Sequence, residues 1–200
     1  VIIWKDVEGV MNADPKIFPS ARVIDELNYD EVIEMAYYGA QVIHPKTIKP
    51  LQNKGIPLLV KCFLDPALPG TVIHDKNLKH LPSIIVIKNN QALLYLHSKD
   101  FSFVGEHEMS GLYHLFIENK ITPNLIQTGA VSLMVSTDDK EEKTDQLAGA
   151  ATALFDVQVE KGLTLLTIRH YTDALLDELT QGRQIVLKQQ SSETVQVLMR

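Results

Sequence analysis

The hydrophobic pattern of the first third of the chain predicts two buried strands separated by a helix. Near-continuous apolar runs occupy residues 1–4 and 57–64, and runs of this length are typical of strands inside an α/β sheet. Between them, apolar side chains recur at helical spacing from Asn28 to Gly39. Asn28 is a suitable N-cap for that helix, and Gly39 is a suitable C-cap. We therefore predict an α/β fold for this part of the chain.

The pattern changes after a polar, lysine-rich stretch at residues 74–82, where we place a domain boundary. The strands predicted beyond it lie at residues 84–88, 91–97, 121–127, 131–136 and 157–160. Helices are predicted around residues 109–117 and 138–154, and a tight hairpin turn is predicted at Asn89-Asn90. From residue 91 onward the order is β-α-β-β-α-β, which is the ferredoxin-like arrangement.

A second pass of the same pattern begins at residue 163 and stops before its second helix. The predicted fold class is therefore α/β followed by α+β, with one complete βαββαβ unit and one incomplete unit. We divide the chain into residues 1–80, 81–162 and 163–200. The 200 residues are enough for one large domain or for small domains with cores of their own.

Composition excludes several classes of protein. With 45% hydrophobic and 22% charged residues, the chain resembles an ordinary soluble globular protein. A net charge of -6 argues against a nucleic-acid-binding protein, which needs a basic face to displace phosphate counterions. No apolar run reaches the roughly 18 residues of a membrane helix, and no signal-peptide pattern is found. The single cysteine, Cys62, excludes an internal disulfide, so we predict a cytoplasmic protein.

Two loops near the start of the chain carry candidate binding chemistry. Asp6 lies just beyond the end of the first predicted strand, and Lys16 follows the turn formers Asp14-Pro15. A carboxylate suits hydroxyl donors and an ammonium group suits phosphate oxygens, so this pairing indicates a nucleotide. An ordinary charged turn explains the same residues, and both interpretations stay open at this point.

Three stretches of sequence resemble a known family. They are WKDVEGVMNADPK at residues 4–16, LNYDEVIEMAYYGAQVIHPKTIKPL at residues 27–51, and IPLLVKCFLDPALPGTVI at residues 56–73. Together they resemble the C-terminal part of the catalytic domain of aspartate kinase, in the family's order and without an obvious gap. The resemblance therefore implies the C-terminal part of an amino-acid-kinase sheet at residues 1–80.

The resemblance implies a set of ATP-contacting positions, which fall on Lys5, Asp6, Met11, Lys16, Gln41 and Val42. At Lys16 the family usually has Arg, so the charge is kept but the bidentate fork is lost. At Gln41 the family has Lys, so one cation is missing from the implied site. ATP and Mg²⁺ are implied as a substrate complex of the full-length enzyme, with no bound prosthetic group.

The implied reaction transfers the γ-phosphoryl group of Mg-ATP to the β-carboxylate of L-aspartate, the first step toward lysine, threonine and methionine. The family's phosphate-contacting Lys and its aspartate-binding residues lie upstream of the matched part. We therefore assign no catalytic residue to this chain and expect it to be inactive alone. The absence of an initiator methionine and the start within an apolar run also predict a fragment of a longer protein.

The resemblance further implies that the α+β units are ACT regulatory domains, which bind lysine or threonine, usually across a homodimer interface. The implied effector positions are Gly105, Glu106, His107, Asn124 and Thr128. Lysine-sensing members have an Asp where this chain has Asn124. The neutral amide still accepts a hydrogen bond but gives up the charge-assisted part, worth about 1 kcal/mol.

Other interpretations of these residues remain. His97, Glu106, His107 and Glu108 are residue types that ligate metals, but side chains adjacent in a helical first turn point in different directions, so no metal site is predicted. The chain could be a non-catalytic amino-acid-binding regulatory subunit that acts in trans, or an ACT dimerisation module. A related kinase such as glutamate kinase is a further alternative, against which the ACT-like repeat argues.

Overall fold

A computed structural model of the protein describes residues 1–41, 43–100 and 102–200. Its elements follow in the order β1 (Ile2–Lys5), β2 (Glu26–Asn28), α1 (Tyr29–Tyr38), α2 (Pro45–Gln52), β3 (Leu58–Cys62), β4 (Thr71–His74), β5 (Ile84–Ser98), α3 (Glu106–Asn119), β6 (Pro123–Thr128), β7 (Ser132–Asp138), α4 (Glu142–Ala151), β8 (Phe155–Arg169), α5 (Asp173–Thr180), β9 (Ile185–Gln190) and β10 (Thr194–Met199). Within the described residues, no helix is long and apolar enough to cross a membrane.

The first sheet has four strands in the order β1-β3-β4-β2. Strand β1 runs parallel to β3, and β2 runs parallel to β4, whereas β3 and β4 are antiparallel. The strands predicted at both ends of this segment are confirmed as β1 and β3. Residues alternate between buried and partly buried positions along β3, which places its apolar side chains in the core.

The predicted helix between these strands is confirmed as α1, with both of its caps. The Asn28 side chain accepts a hydrogen bond from the backbone N–H of Glu31 at 2.7 Å, and Gly39 takes the left-handed conformation with φ 107°. The buried side of α1 carries Val32 and Met35, which join the core of the first sheet. The two caps therefore determine where α1 begins and where it ends.

The second sheet has six strands in the order β6-β7-β5-β8-β10-β9. The predicted hairpin at Asn89-Asn90 is wrong, because β5 runs without interruption from Ile84 to Ser98. A two-residue hairpin of the usual type needs positive φ at both central residues, and of these two only Asn90 has it, at 54°. A single left-handed residue bends a strand without reversing it.

Strand β8 also differs from its prediction. Separate strands were expected at residues 157–160 and 163–169, but one strand covers Phe155–Arg169. Gly162 lies inside it with φ 77°, a left-handed conformation that glycine adopts without strain. The proposed boundary between residues 162 and 163 falls within this strand, and both domain boundaries stay predictions.

Contacts divide the chain into two compact units that we describe separately. The first unit comprises Val1–Ile87, Leu166–Gly182 and Lys188–Val197, and the second comprises Lys88–Leu165, Arg183–Leu187 and Leu198–Arg200. The core of the first unit surrounds buried Leu27, Val32 and Leu58. In the second unit, one core joins α3 and α4 to their strands around Leu112 and Phe155, and another is formed by leucines of the strands.

Candidate functional site

A cavity of about 580 Å³ lies in the first unit, where β1 ends. Its walls are formed by the end of β1 and the loop that follows, the C-terminal end of α1, Val60 of β3, and the first residues of β5. Five of the predicted ATP-contacting residues line it, namely Lys5, Asp6, Met11, Lys16 and Gln41. The sixth, Val42, lies outside the described residues. The fold therefore gathers residues that are up to 36 positions apart in sequence around one space.

Strand β1 places the first two of these residues. Lys5 pairs with Cys62 at the end of the parallel β1–β3 ladder, and its backbone carbonyl accepts a hydrogen bond from Phe63 N–H at 2.9 Å. The Lys5 ammonium group donates to the backbone carbonyl of Gln41 at 3.2 Å. This bond brings the end of β1 against the end of α1, at the carboxyl edge of the parallel strands where ligands of open α/β sheets bind.

An Asp-centred turn presents Lys16. The Asp14 side chain accepts a hydrogen bond from Lys16 N–H at 2.9 Å, while its backbone carbonyl accepts from Ile17 at 3.0 Å and Phe18 at 2.8 Å. Lys16 itself is exposed, so its ammonium group is available at the cavity mouth. The turn predicted at Asp14-Pro15 is therefore confirmed, with Asp14 as its acceptor.

A buried hydroxyl fixes the loop between β1 and Lys16. Thr71 on β4 is 1% exposed, and its Oγ1 accepts from Val10 N–H at 2.8 Å and donates to the carbonyl of Ile24 at 2.7 Å. A Cβ on Gly9 would lie 2.6 Å from the same oxygen, so only glycine fits beside it. Sequence reasoning missed Thr71, because it lies 61 residues from Val10 and carries no local signal.

The cavity lining combines apolar and charged side chains. The apolar residues include Met11, Phe18, Ile84 and Val86, and the charged residues are Lys5, Asp6, Asp14 and Lys16. Apolar contacts together with two ammonium groups suit a ligand with a planar apolar part and an anionic tail. A nucleotide has this combination of properties.

The structure also shows a buried ion pair that the sequence did not predict. Glu31 on α1 is 4% exposed, and its carboxylate accepts from Arg169 Nε at 2.6 Å and Nη2 at 2.8 Å. His170 Nε2 lies 3.0 Å from the same carboxylate. Burial acts to raise the pKa of Glu31, but hydrogen bonds from Arg169 and His170 and their charges outweigh it and lower the pKa.

The predicted effector residues fall into two groups within the second unit. Gly105 begins α3, and its N–H donates to the Glu108 side chain at 2.9 Å. The loop before α3 is joined to the β6–β7 turn by a hydrogen bond of 2.9 Å from Val104 N–H to the carbonyl of Ala130. Glu106, His107 and Thr128 are exposed at this end of the strands.

Asn124 lies at the opposite end of the same strands. Its side-chain NH₂ donates to Gln91 Oε1 and to Asp138 Oδ1, both at 2.8 Å, and its oxygen accepts from the Lys88 ammonium group at 2.8 Å. Gln91 pairs with Asp138 and His97 pairs with Ser132, so the length of β7 separates Asn124 from the Gly105 loop. Within one chain the structure does not bring Asn124 together with the other effector candidates.

The described residues contain no cluster of side chains that would support a metal site. Over the described ranges, no group of three or more His, Cys, Asp or Glu side chains is arranged to hold a metal ion. His107 and Glu108 approach each other at 3.7 Å, and the His107 side chain is 87% exposed.

Comparison with known proteins places the chain among kinases. The model of the amino acid kinase family matches residues 1–62. The lysine-sensitive aspartokinase 3 of Escherichia coli is 32% identical over 180 residues, which cover 84% of this chain and 39% of that protein. The chloroplastic aspartokinase 2 of Arabidopsis thaliana is 36% identical over 140 residues, which cover 68% of this chain and 25% of that protein.

A solved structure agrees with these sequence matches. The crystal structure of E. coli aspartokinase III in complex with aspartate and ADP superposes with a TM-score of 0.82 at 27% identity, covering 99% of this chain and 48% of that one. The chain thus spans less than half the length of the relatives it matches. On the family match, the relatives and the shared fold together, the chain belongs to the aspartokinases and corresponds to one part of such a protein.

Proposed function

We propose that this chain supplies nucleotide contacts to an aspartate kinase, an enzyme that transfers the γ-phosphoryl group of ATP to the β-carboxylate of L-aspartate. The observation that carries the proposal is that Lys5, Asp6, Met11, Lys16 and Gln41 all line the same cavity. The similar E. coli enzyme was crystallised with aspartate and ADP, which supports the assignment of a nucleotide to this cavity. Val42 belongs to the same proposed contact set.

The proposed roles follow from the chemistry of each group. Lys5 and Lys16 neutralise phosphate oxygens, and the apolar lining residues contact the base. Asp6 accepts hydrogen bonds from hydroxyl groups of the nucleotide. Mg²⁺ enters with ATP, because this ion is commonly held by substrate phosphates and one or two carboxylates, and Asp6 and Asp14 both line the cavity. Phosphoryl transfer of this kind depends on positioning and charge stabilisation.

We assign no catalytic residue to these 200 residues, and we expect phosphoryl transfer only in the whole protein. The β5-α3-β6-β7-α4-β8 series is proposed to be an ACT domain, with β8 to β10 as part of a second one. Its proposed effector is an amino acid, lysine or threonine, and its proposed assembly is a homodimer through these domains. The lysine-sensitive E. coli relative favours lysine as the effector.

Replacing Lys16 by Met is expected to weaken ADP binding about tenfold, because a charge-assisted contact to phosphate is lost. Replacing Gln41 by Lys should have the opposite effect, since it adds a cation to the same cavity. Calorimetric titration of the purified chain with Mg-ADP measures both changes. Lys54→Met is the matched control, because Lys54 is exposed and does not line this cavity.

Equal ADP affinities for the wild type, Lys16→Met and Lys54→Met would contradict the placement of phosphates beside Lys16. Failure of the folded wild-type chain to bind ADP would remove the nucleotide assignment itself. Aspartate-dependent ADP formation by this chain alone would contradict the assignment of no catalytic residue.

Titration with lysine and then threonine tests the proposed sensor function. We expect saturable binding of one of them, and Asn124→Leu should abolish it, because leucine offers no acceptor for the effector's ammonium group. Asn119→Leu, at the end of α3, makes the same change elsewhere and serves as the control. If neither amino acid binds to the folded chain, the alternative of a dimerisation module without a ligand is favoured.

A further inference from the structure

Helix α1 connects the nucleotide cavity to a cluster of charged residues at its other end. The helix ends at Gly39, and the two residues after it, Ala40 and Gln41, line the cavity. Met35 also lines the cavity and is 1% exposed. Glu31 lies one helical turn before Met35, so both side chains lie on the same face of α1. Any shift of Glu31 along the helix axis therefore moves an edge of the cavity.

Arg169 pairs with two carboxylates of this helix. Its guanidinium group forms a fork on Glu31, with N–O distances of 2.6 and 2.8 Å, and reaches Glu34 at 3.6 Å. Its third nitrogen donates to Thr194 Oγ1 at 2.9 Å. Arg169 lies at the end of β8 and Thr194 at the start of β10, so connected hydrogen bonds join the first turn of α1 to both strands.

The geometry of this contact is specific. A bidentate fork between guanidinium and carboxylate fixes both distance and orientation, which a single ammonium contact does not. Both partners are largely removed from water, since their side chains are 11% and 4% exposed. The pair also joins segments 138 residues apart in sequence, both of them within the first unit.

We propose that Arg169 is a positioning residue for the nucleotide cavity: it holds α1 so that Gly39 to Gln41 stay in place, and nucleotide affinity thereby depends on β8 and β10. This inference rests on the proposed function, because it concerns the nucleotide affinity of the same cavity. By thermodynamic linkage, the Arg169–Glu31 contact and the bound nucleotide stabilise each other by the same free energy.

The test compares Arg169→Met with Arg200→Met on the purified chain. Arg200 is the matched control, because it also pairs with a glutamate, Glu160, but lies 48% exposed and contacts no residue of α1 among the bonds the structure describes. The affinity for Mg-ADP is measured by calorimetry under conditions where each variant is folded. Arg169→Met should weaken binding roughly 2- to 30-fold, the range usual for residues that couple distant sites. Arg200→Met should leave the affinity unchanged.

A second measurement does not depend on the nucleotide. The N–H groups of Gly39 and Ala40 are bonded to the carbonyls of Ala36 at 3.1 Å and Met35 at 2.9 Å. In Arg169→Met, these two amides should exchange with solvent faster than in Arg200→Met. If Arg169→Met does not fold, Arg169→Lys takes its place, because it keeps the buried charge and loses only the fork.

The outcomes separate this inference from the proposed function. Weaker ADP binding together with faster exchange at Gly39 and Ala40 supports the positioning role. ADP binding that is equal in the wild type, Arg169→Met and Arg169→Lys overturns the inference and leaves the proposed function intact. If the wild-type chain binds no ADP, the proposed function fails, and unchanged exchange at these two amides would then overturn the positioning role as well.

Discussion

Replacement of Glu31 by Gln is expected to lower the free energy of unfolding by about 3 to 5 kcal/mol, the usual cost of removing one partner of a buried ion pair. Glu31 is 4% exposed, and Arg169 would keep its charge in a site from which water is largely excluded. The amide still accepts a hydrogen bond, but it cannot neutralise the guanidinium group. Urea denaturation at neutral pH, followed by circular dichroism, measures the change.

Glu160→Gln is the control for this prediction. Its partner Arg200 is 48% exposed, and pairs of this kind contribute about 0 to 1 kcal/mol. The two variants remove the same charge from the same type of pair, so the difference between them reports burial. Equal destabilisation by both variants would show that the Glu31 pair contributes no more than a surface contact.

The same pair predicts a pH dependence. Because the pKa of Glu31 in the folded chain lies below its ordinary value of 4.5, its contribution is complete above that value and is lost as the pH falls through the lowered pKa. The stability of the wild type should therefore decline more steeply in acid than that of Glu31→Gln. Parallel stability curves below pH 4.5 would contradict the lowered pKa.

Gly70→Ala is expected to destabilise the chain by about 2 to 5 kcal/mol, from an overpacking cost of about 1 to 3 kcal/mol and a left-handed backbone cost of about 1 to 2 kcal/mol. Gly70 has φ 75°, and a Cβ there would lie 2.1 Å from the backbone carbonyl oxygen of Val60. That oxygen belongs to the β3–β4 ladder and cannot move aside without breaking it. The adjacent Thr71 would lose its bonds to the cavity loop as well.

Gly55→Ala separates the two contributions. Gly55 has φ 59°, but a Cβ there meets nothing within 4 Å. Only the backbone cost of about 1 to 2 kcal/mol is expected at this position. Denaturant midpoints of the two variants give the comparison, and a Gly70→Ala protein as stable as Gly55→Ala would rule out the steric conflict with Val60.

Several features of this protein follow from local sequence alone. The limits of α1 were predictable, because Asn28 and Gly39 satisfy the free backbone groups at its two ends. Strands β1 and β3 were predictable from near-continuous apolar runs, and helix α3 from its apolar spacing. Helix α4 was predicted from an acidic start at residue 138, but Asp138 belongs to β7 and the helix begins at Glu142. Asp6 and Lys16 were recognisable as loop residues from neighbouring turn formers. Each of these signals acts within a few residues, where the sequence determines the backbone directly.

Other features were decided only by the tertiary structure. Strands β5 and β8 continue through Asn90 and Gly162, because pairing with neighbouring strands prevails over a local preference for turns. Thr71, Arg169 and His170 carry no local pattern, since their partners in the cavity loop and in α1 lie 47 to 139 residues away. Such contacts depend on which helices and strands become neighbours. The burial of apolar surface over the whole chain determines those neighbours. The sequence thus determined the elements and the candidate residues, and only packing determined which of those residues share a cavity and what holds them there.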